Sequence, residues 1–244
     1  MTDSYACTAE YYQLMSEPYW DVLRPVLADA LAEVDPATGP VVDVGAGTGL
    51  STLVAAHTLP QARIVAVEPS PSMRTVLLTR VAADADLRRR VTVLPLPLSE
   101  AALPERVCAV IAIGVLHHFD AAGRREFMKV LADRLAPRAL AVVEVQDPPE
   151  VCTVPSQRYH MTTVGDVTYE GWMSARPKDQ TAMEWTMTYR AVRDGETLDD
   201  RSVRFTMFPV SPATVVSEAT AAGLAARELG HGLVELRQPD AAAG

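Results

Sequence analysis

The residues of this chain able to do chemistry gather where apolar runs end. In VVDVGAGTGL, residues 41–50, a hydrophobic run breaks into Gly45, Gly47 and Gly49, with Asp43 two residues before the first glycine. A strand that ends this way usually feeds a nucleotide into the turn behind it, because bare backbone can approach the ligand closely. The dinucleotide fingerprint requires G-x-G-x-x-G, and Leu50 stands where its third glycine should be. An acidic side chain near the turn disfavours a pyrophosphate and suits a cationic amino acid. No Gly-Lys-Ser/Thr follows, which excludes a P-loop. His117 and His118 end a second apolar run, VIAIGVLHH. A histidine with a pKa near neutrality can take a proton from an oxygen or nitrogen nucleophile.

The elements that must position these residues alternate along the first part of the chain. PVVDVG, ARIVAVE, RVTVLPL, VCAVIAIG and ALAVVEVQ read as strands. Between them lie LSTLVAAHTL, a helix opened by Ser70 and Pro71, and DAAGRREFMKVLADRLA with Asp120 as its cap. Apolar strands separated by helices predict an α/β fold: a doubly wound, mostly parallel sheet covered on both faces.

After DPPE the rhythm changes to period two. Met183, Trp185, Met187 and Tyr189 share one face of a strand, and Val203, Phe205 and Met207 one face of another, with RDGE between them as a hairpin signal. A plain two-residue Asp194-Gly195 turn would set Met187 opposite Ser202 and mismatch the apolar faces. The pairing therefore needs an odd loop or a bulge. SPATVVSEATAAG then predicts a helix capped by Ser211, LAARELG and LVELR supply closing strands, and QPDAAAG reads as a disordered tail.

The 244 residues suit one sizeable domain. No apolar stretch is long enough to span a bilayer, and the N-terminus lacks the pattern of a signal peptide. The net charge of −9 argues against a nucleic-acid partner, and RRR at 88–90 reads as a solvated corner. Cys7, Cys108 and Cys152 are widely spaced, which suggests a reducing, cytoplasmic setting and no metal site.

Taken together, these motifs resemble the class I S-adenosylmethionine-dependent methyltransferases, with a seven-stranded sheet, over almost the whole chain. VVDVGAGTGL is similar to their first motif, which puts Asp43, Gly45, Ala46 and Gly47 at the methionine and ribose parts of the cofactor S-adenosyl-L-methionine. The resemblance makes Glu68 the acceptor of both ribose hydroxyls and places Pro69, Met73 and Leu98 beside the adenine. It also assigns Ile113, Gly114 and His118 of the fourth motif to the cofactor. Relatives usually carry an acidic residue after the third strand, where this chain has Pro97. The resemblance further implies one methyltransferase domain over 1–244: a helical cover at 1–35, a cofactor core at 40–150, an inserted antiparallel cover at 156–209 and closing elements at 210–238.

Methyl transfer from a sulfonium is a direct displacement that needs alignment and, for some nucleophiles, a base. His117 is the candidate for contact with the substrate or for the base; the alternative is that both histidines are structural. The aromatic residues collect in the first twenty positions and in the period-two segment. Those outside the regular alternation, Tyr11, Tyr12, Trp20, Tyr159, His160 and Trp172, are the expected substrate pocket. The expected activity is methylation of an oxygen, nitrogen or activated carbon on a small, fairly apolar molecule in bacterial secondary metabolism. The expected partners are that small molecule, no nucleic acid and no membrane, and the chain is a monomer or homodimer. The alternatives are a non-methylating relative that performs a cyclisation or rearrangement, and a protein or RNA methyltransferase.

Overall fold

A computed structural model describes residues 3 and 5–239. The expected tail lies outside the described residues from 240 onward. The elements are α1 (Ala9–Leu31), β1 (Val41–Val44), α2 (Leu50–Thr58), β2 (Ile64–Val67), α3 (Pro71–Ala83), α4 (Ala85–Arg90), β3 (Val91–Leu94), β4 (Val107–Ala112), α5 (Ala121–Arg134) and β5 (Leu135–Glu144). There follow β6 (Val154–Val164), β7 (Val167–Pro177), β8 (Met183–Arg193), β9 (Glu196–Met207), α6 (Pro212–Ala221), β10 (Ala225–Gly230) and β11 (Leu233–Arg237).

The main sheet has the order β10-β11-β5-β4-β1-β2-β3. The first five strands run parallel, and β11 is antiparallel to β5. Strand order reverses between β1 and β4, which opens a crevice at their carboxyl ends. Side chains alternate between the two faces. Val41 and Ile64 pack with α1, α2 and α3, while Val42 and Val110 pack with α5 and α6. Leu23 and Leu27 of α1 are wholly buried, so truncating either to Ala costs about 2–5 kcal/mol. The caps form as the sequence requires: Ser70 accepts from the Met73 amide, Asp120 from Gly123 and Ser211 from Thr214.

The second sheet is antiparallel in the order β6-β7-β8-β9. Its β8–β9 hairpin pairs Arg193 with Glu196 across a two-residue turn, and a register shift leaves Leu198 unpaired. That bulge brings Met187 opposite Val203 and Trp185 opposite Phe205, so the apolar faces match. A second irregularity, at Tyr159 of β6, lies between the pairs Arg158–Trp172 and His160–Gly171. Tyr11 fastens α1 to this sheet: its ring stacks on Tyr189 at 5.4 Å, meets Tyr169 edge-on at 6.0 Å and donates its hydroxyl hydrogen to Asp199.

One surface expectation holds for Arg88 and Arg89, which are exposed, and is corrected for Arg90. Arg88, Arg89 and Arg90 form the last turn of α4, and Arg90 donates to the carbonyls of Ala56 and Ala62 while pairing with Asp86. The guanidinium thus caps the carboxyl end of α2 and is no solvated corner. No helix among the described residues is long and apolar enough to cross a membrane.

Candidate functional site

The crevice is built from the turns that follow β1, β2, β4 and β5. Gly45 has φ +63°, and a Cβ there would lie 2.7 Å from Cγ2 of Val115, so only glycine fits. Gly47 has φ +56°, and a Cβ there would meet nothing closer than the Gly45 carbonyl oxygen at 3.8 Å. The turn therefore leaves a cradle of open space above its backbone. Its shape is held from the end of β2, where Glu68 accepts from the Gly47 amide at 2.8 Å through Oε2 and from the Ser70 amide at 2.7 Å through Oε1. Glu68 is 5 % exposed, and burial raises its pKa against the lowering effect of those amides.

Asp43 lies beneath the turn at 1 % exposure. Its Oδ2 accepts from Ser51 and Thr52 at the start of α2, while Oδ1 has no partner. Burial pushes its pKa up to about 7. From the other side, Arg80 donates to the Thr48 carbonyl and to the Gln13 side chain, tying α3 and α1 to the glycine turn.

The opposite flank ends in Glu144, the last residue of β5, which is 1 % exposed. Its Oε2 accepts from the Gly114 amide at 2.5 Å, its Oε1 from the Tyr19 hydroxyl, and the Gln146 amide approaches both oxygens at 3.3 and 3.4 Å. Burial raises its pKa. Tyr12 of α1 has its ionisation raised far above the phenol range by burial and then by the fields of Tyr5, Glu144, Tyr189 and Glu68. The ring of Tyr159 covers Gly171, where a Cβ would fall 2.6 Å from it, and packs in one cluster with Tyr189. Every one of these phenols stays protonated, and hence a donor, at neutral pH.

His117 and His118 sit in the single turn after β4, between it and the second sheet. Their ring centroids are 4.1 Å apart, and Phe205 lies 6.2 Å from one and 6.0 Å from the other. The Phe208 amide donates to the His117 carbonyl at 2.8 Å, which joins the end of β9 to this turn. Burial, with a small contribution from His118, depresses the His117 pKa to about 3. A group so reluctant to take a proton is a weak base at neutral pH. His117 is thus buried against His118 and Phe205, with burial favouring the neutral form of its imidazole. His118 is exposed and lies 3.4 Å from the Tyr5 hydroxyl.

Of the residues expected at the cofactor, the structure gathers Gly45, Ala46, Gly47 and Glu68 at one edge. Ile113 and Gly114 follow β4, and Leu98 begins the single turn after β3. Pro69 is exposed beside Glu68, whereas Met73 is buried behind the Ser70 cap. Of those expected at the substrate, Tyr12 and Tyr159 are half-buried, Tyr159 packs beside Tyr189, and His160 lies at the adjoining bulge. Tyr11 is consumed in the joint between α1 and the second sheet.

Two of those expectations are overturned. Trp20 is 5 % exposed and packs with Leu23 and Leu27 in the main core. Trp172 faces the outer side of the second sheet, where its Nε1 donates to Glu170 and the guanidinium carbons of Arg158 and Arg190 each lie 5.7 Å from its ring. Its register partner Thr188 lies on the face opposite Tyr189. The sequence reading missed Glu144, Tyr5, Tyr19 and Tyr189. A signal for Glu144 existed: like IVAVE, its strand ALAVVE closes an apolar run with a single acid.

The crevice fits S-adenosylmethionine on three observations: the open cradle over Gly47, the unpartnered buried Oδ1 of Asp43 near a cationic ligand's expected seat, and a carboxylate at the end of β2. A model described as a methyltransferase domain matches residues 42–141. No curated protein sequence matches the chain. Among solved structures, DesVI of Streptomyces venezuelae aligns with a TM-score of 0.74 at 16% identity, over 93% of this chain and 95% of its own. The amino pentose methyltransferase CalS10 of Micromonospora echinaspora aligns with a TM-score of 0.71 at 16% identity, over 90% of this chain and 91% of its own. The sugar N-methyltransferase KedS8 of a Streptoalloteichus species aligns with a TM-score of 0.66 at 15% identity, over 96% of this chain and 87% of its own. At these identities the likeness is one of fold. Residues 42–141 thus match a methyltransferase domain, and the chain as a whole has the fold of solved S-adenosylmethionine-dependent methyltransferases.

Proposed function

We propose that this methyltransferase modifies a nitrogen on a small molecule, in a tailoring step of bacterial secondary metabolism. The observation that carries this reading is the cover that α1 and the second sheet form over the carboxyl ends of β4 and β5, joined by Tyr11 against Tyr169 and Tyr189 and by the bonds Tyr19–Glu144 and Phe208–His117. Tyr189 is buried there and Tyr12 and Tyr159 are half-buried, under a cover that suits a compact acceptor better than a polymer. The choice of nitrogen is supported by the sugar N-methyltransferase and the amino pentose enzyme that share the fold. The free thiols of Cys7, Cys108 and Cys152 agree with work in the cytoplasm, as a monomer or homodimer.

When bound, S-adenosylmethionine supplies a methyl group on sulfur that a nucleophile displaces directly. The protein's share is alignment. Each oxygen of Glu68 accepts one backbone amide, which leaves a further lone pair on each for the two ribose hydroxyls. The turn of Gly45, Ala46 and Gly47 admits the ligand against bare backbone, with Asp43 bracing it from below and contributing negative potential. Pro69, Leu98, Ile113 and Gly114 border the adenine side, Met73 backs it, and His118 flanks the opening.

On the acceptor side, Tyr12 and Tyr159 orient the incoming molecule as hydrogen-bond donors, with His160 beside them. A neutral amine brings its own lone pair, so it needs no protein base. His117 fills space and excludes water. Its imidazole takes up no proton near neutrality.

The test uses S-adenosylmethionine with a deuterated methyl group, incubated with the protein and extracts of bacteria making secondary metabolites. Mass spectrometry should find the label on the nitrogen of a small molecule. Label on protein, RNA or a hydroxyl oxygen overturns the reading. So does tight cofactor binding with no label transferred to anything.

A further inference from the structure

Resting on that reading of a nitrogen acceptor, we infer that Glu144 is the counter-ion that recognises the acceptor as an ammonium and so decides between amine and alcohol. The carboxylate is 1 % exposed, yet no lysine, arginine or histidine among the described residues pairs with it. Glu218 and Glu235, by contrast, have counter-ions: Glu218 is bound by Arg124, and Glu235 by Arg227 and Arg237. Asp43 and Glu68, like Glu144, hold only neutral donors, but both stand at the glycine turn on the cofactor side. A buried charge without a counter-charge is costly to keep, and a cationic ligand removes that cost on binding.

Position supports the same conclusion. Glu68 and Glu144 end β2 and β5, on opposite sides of β1 and β4 in the sheet. Glu68 takes the cofactor flank, so the β5 flank is left for the acceptor. The Gly114 amide fixes one oxygen of Glu144, and the Tyr19 hydroxyl fixes the other. The weakest members of its shell are the two long contacts to the Gln146 amide, at 3.3 and 3.4 Å. An ammonium can replace these without disturbing the other two. Tyr19 is 41 % exposed and stands at the rim, where it can turn aside to admit the ligand. Tyr12, in the field of both carboxylates, offers an aromatic face and a hydroxyl to the same group.

The experiment is a panel of primary amines on sugar and amino-acid scaffolds, each paired with its hydroxyl counterpart, assayed for S-adenosylhomocysteine release. Glu144→Gln, Glu144→Asp and Tyr19→Phe are run beside the wild type, with S-adenosylhomocysteine affinity and melting temperature measured for each. The expected result is that the wild type methylates amines and rejects their hydroxyl partners. Glu144→Gln should raise KM for the amine about a hundredfold with a smaller change in kcat and unchanged S-adenosylhomocysteine affinity, and Glu144→Asp should recover part of the loss. Tyr19→Phe, which keeps the charge, should raise KM less than tenfold. Amine turnover by Glu144→Gln with wild-type KM overturns this role alone and leaves the nitrogen reading standing. Methylation of alcohols as readily as amines, or of no member of the panel, overturns both. Should Glu144→Gln fail to fold, equal loss in folded Glu144→Asp and Tyr19→Phe counts against the role, because a charge-reading site must respond differently to them.

Discussion

The carboxylate of Glu68 lies 2.8 Å from the amide nitrogen of Gly47, so the end of one strand shapes the glycine turn that follows its neighbour. Replacing Glu68 with Gln keeps the size but turns one acceptor oxygen into a donor. Affinity for S-adenosylmethionine should then fall about 10–100-fold, the loss of one or two charge-assisted hydrogen bonds. Calorimetric titration checks this, and an unchanged dissociation constant would remove Glu68 from the cofactor site.

The two turn glycines should fail in different ways. Gly45→Ala meets Val115 and a left-handed backbone together, and should cost about 2–4 kcal/mol of stability. Gly47→Ala has room for its methyl and pays only the backbone strain, about 1–2 kcal/mol, but it fills the cradle. Denaturant melts should rank Gly45→Ala as the less stable, while cofactor titration should find that Gly47→Ala binds poorly although folded.

The depressed pKa of His117 makes a signed prediction about acid. The unfolded chain takes up a proton as pH falls below about 6.5, whereas the folded chain resists until about 3. The contribution is therefore neutral above 6.5, and stability is lost progressively as pH falls through the window between these values. From pH 7 to 5 the penalty is about 2 kcal/mol, so the melting temperature of His117→Gln should drop about 4–8 °C less than that of the wild type. The same variant should keep the shape of the pH–rate profile. A lost acidic limb would restore His117 as a base.

Trp172 and Tyr12 separate the two sides of the second sheet. Trp172→Ala should leave acceptor KM within about twofold and shift the melting temperature by a few degrees, since it disturbs only an outer cluster with Arg158 and Arg190. Tyr12→Phe should do the reverse: it removes a donor inside the crevice and should raise acceptor KM about tenfold with little change in melting temperature. Steady-state kinetics beside thermal melts tells these patterns apart.

Much of the architecture was legible in the order of residues. Apolar runs between capped helices define the parallel strands, because periodicity and caps are local properties of the chain. The glycine turn and Glu68 were readable for the same reason: strand, turn and closing acid lie together in sequence. The need for an odd loop or a bulge in the β8–β9 hairpin also followed from arithmetic, since a plain two-residue turn could not align Met187 with Val203; the structure chose a bulge at Leu198. Which face of an element meets which partner was decided only by the tertiary structure. Period two put Met187 and Tyr189 on one face of their strand, but did not show that this face would meet α1, nor that the register would turn Trp172 to the other side. Period 3.6 did not reveal that Trp20 would turn into the core while Tyr12 and Tyr19 turned toward the crevice. Glu144 read as one acid in an apolar strand. Its contact with Tyr19 closes a loop of 125 residues, and no local spacing encodes a partner that distant.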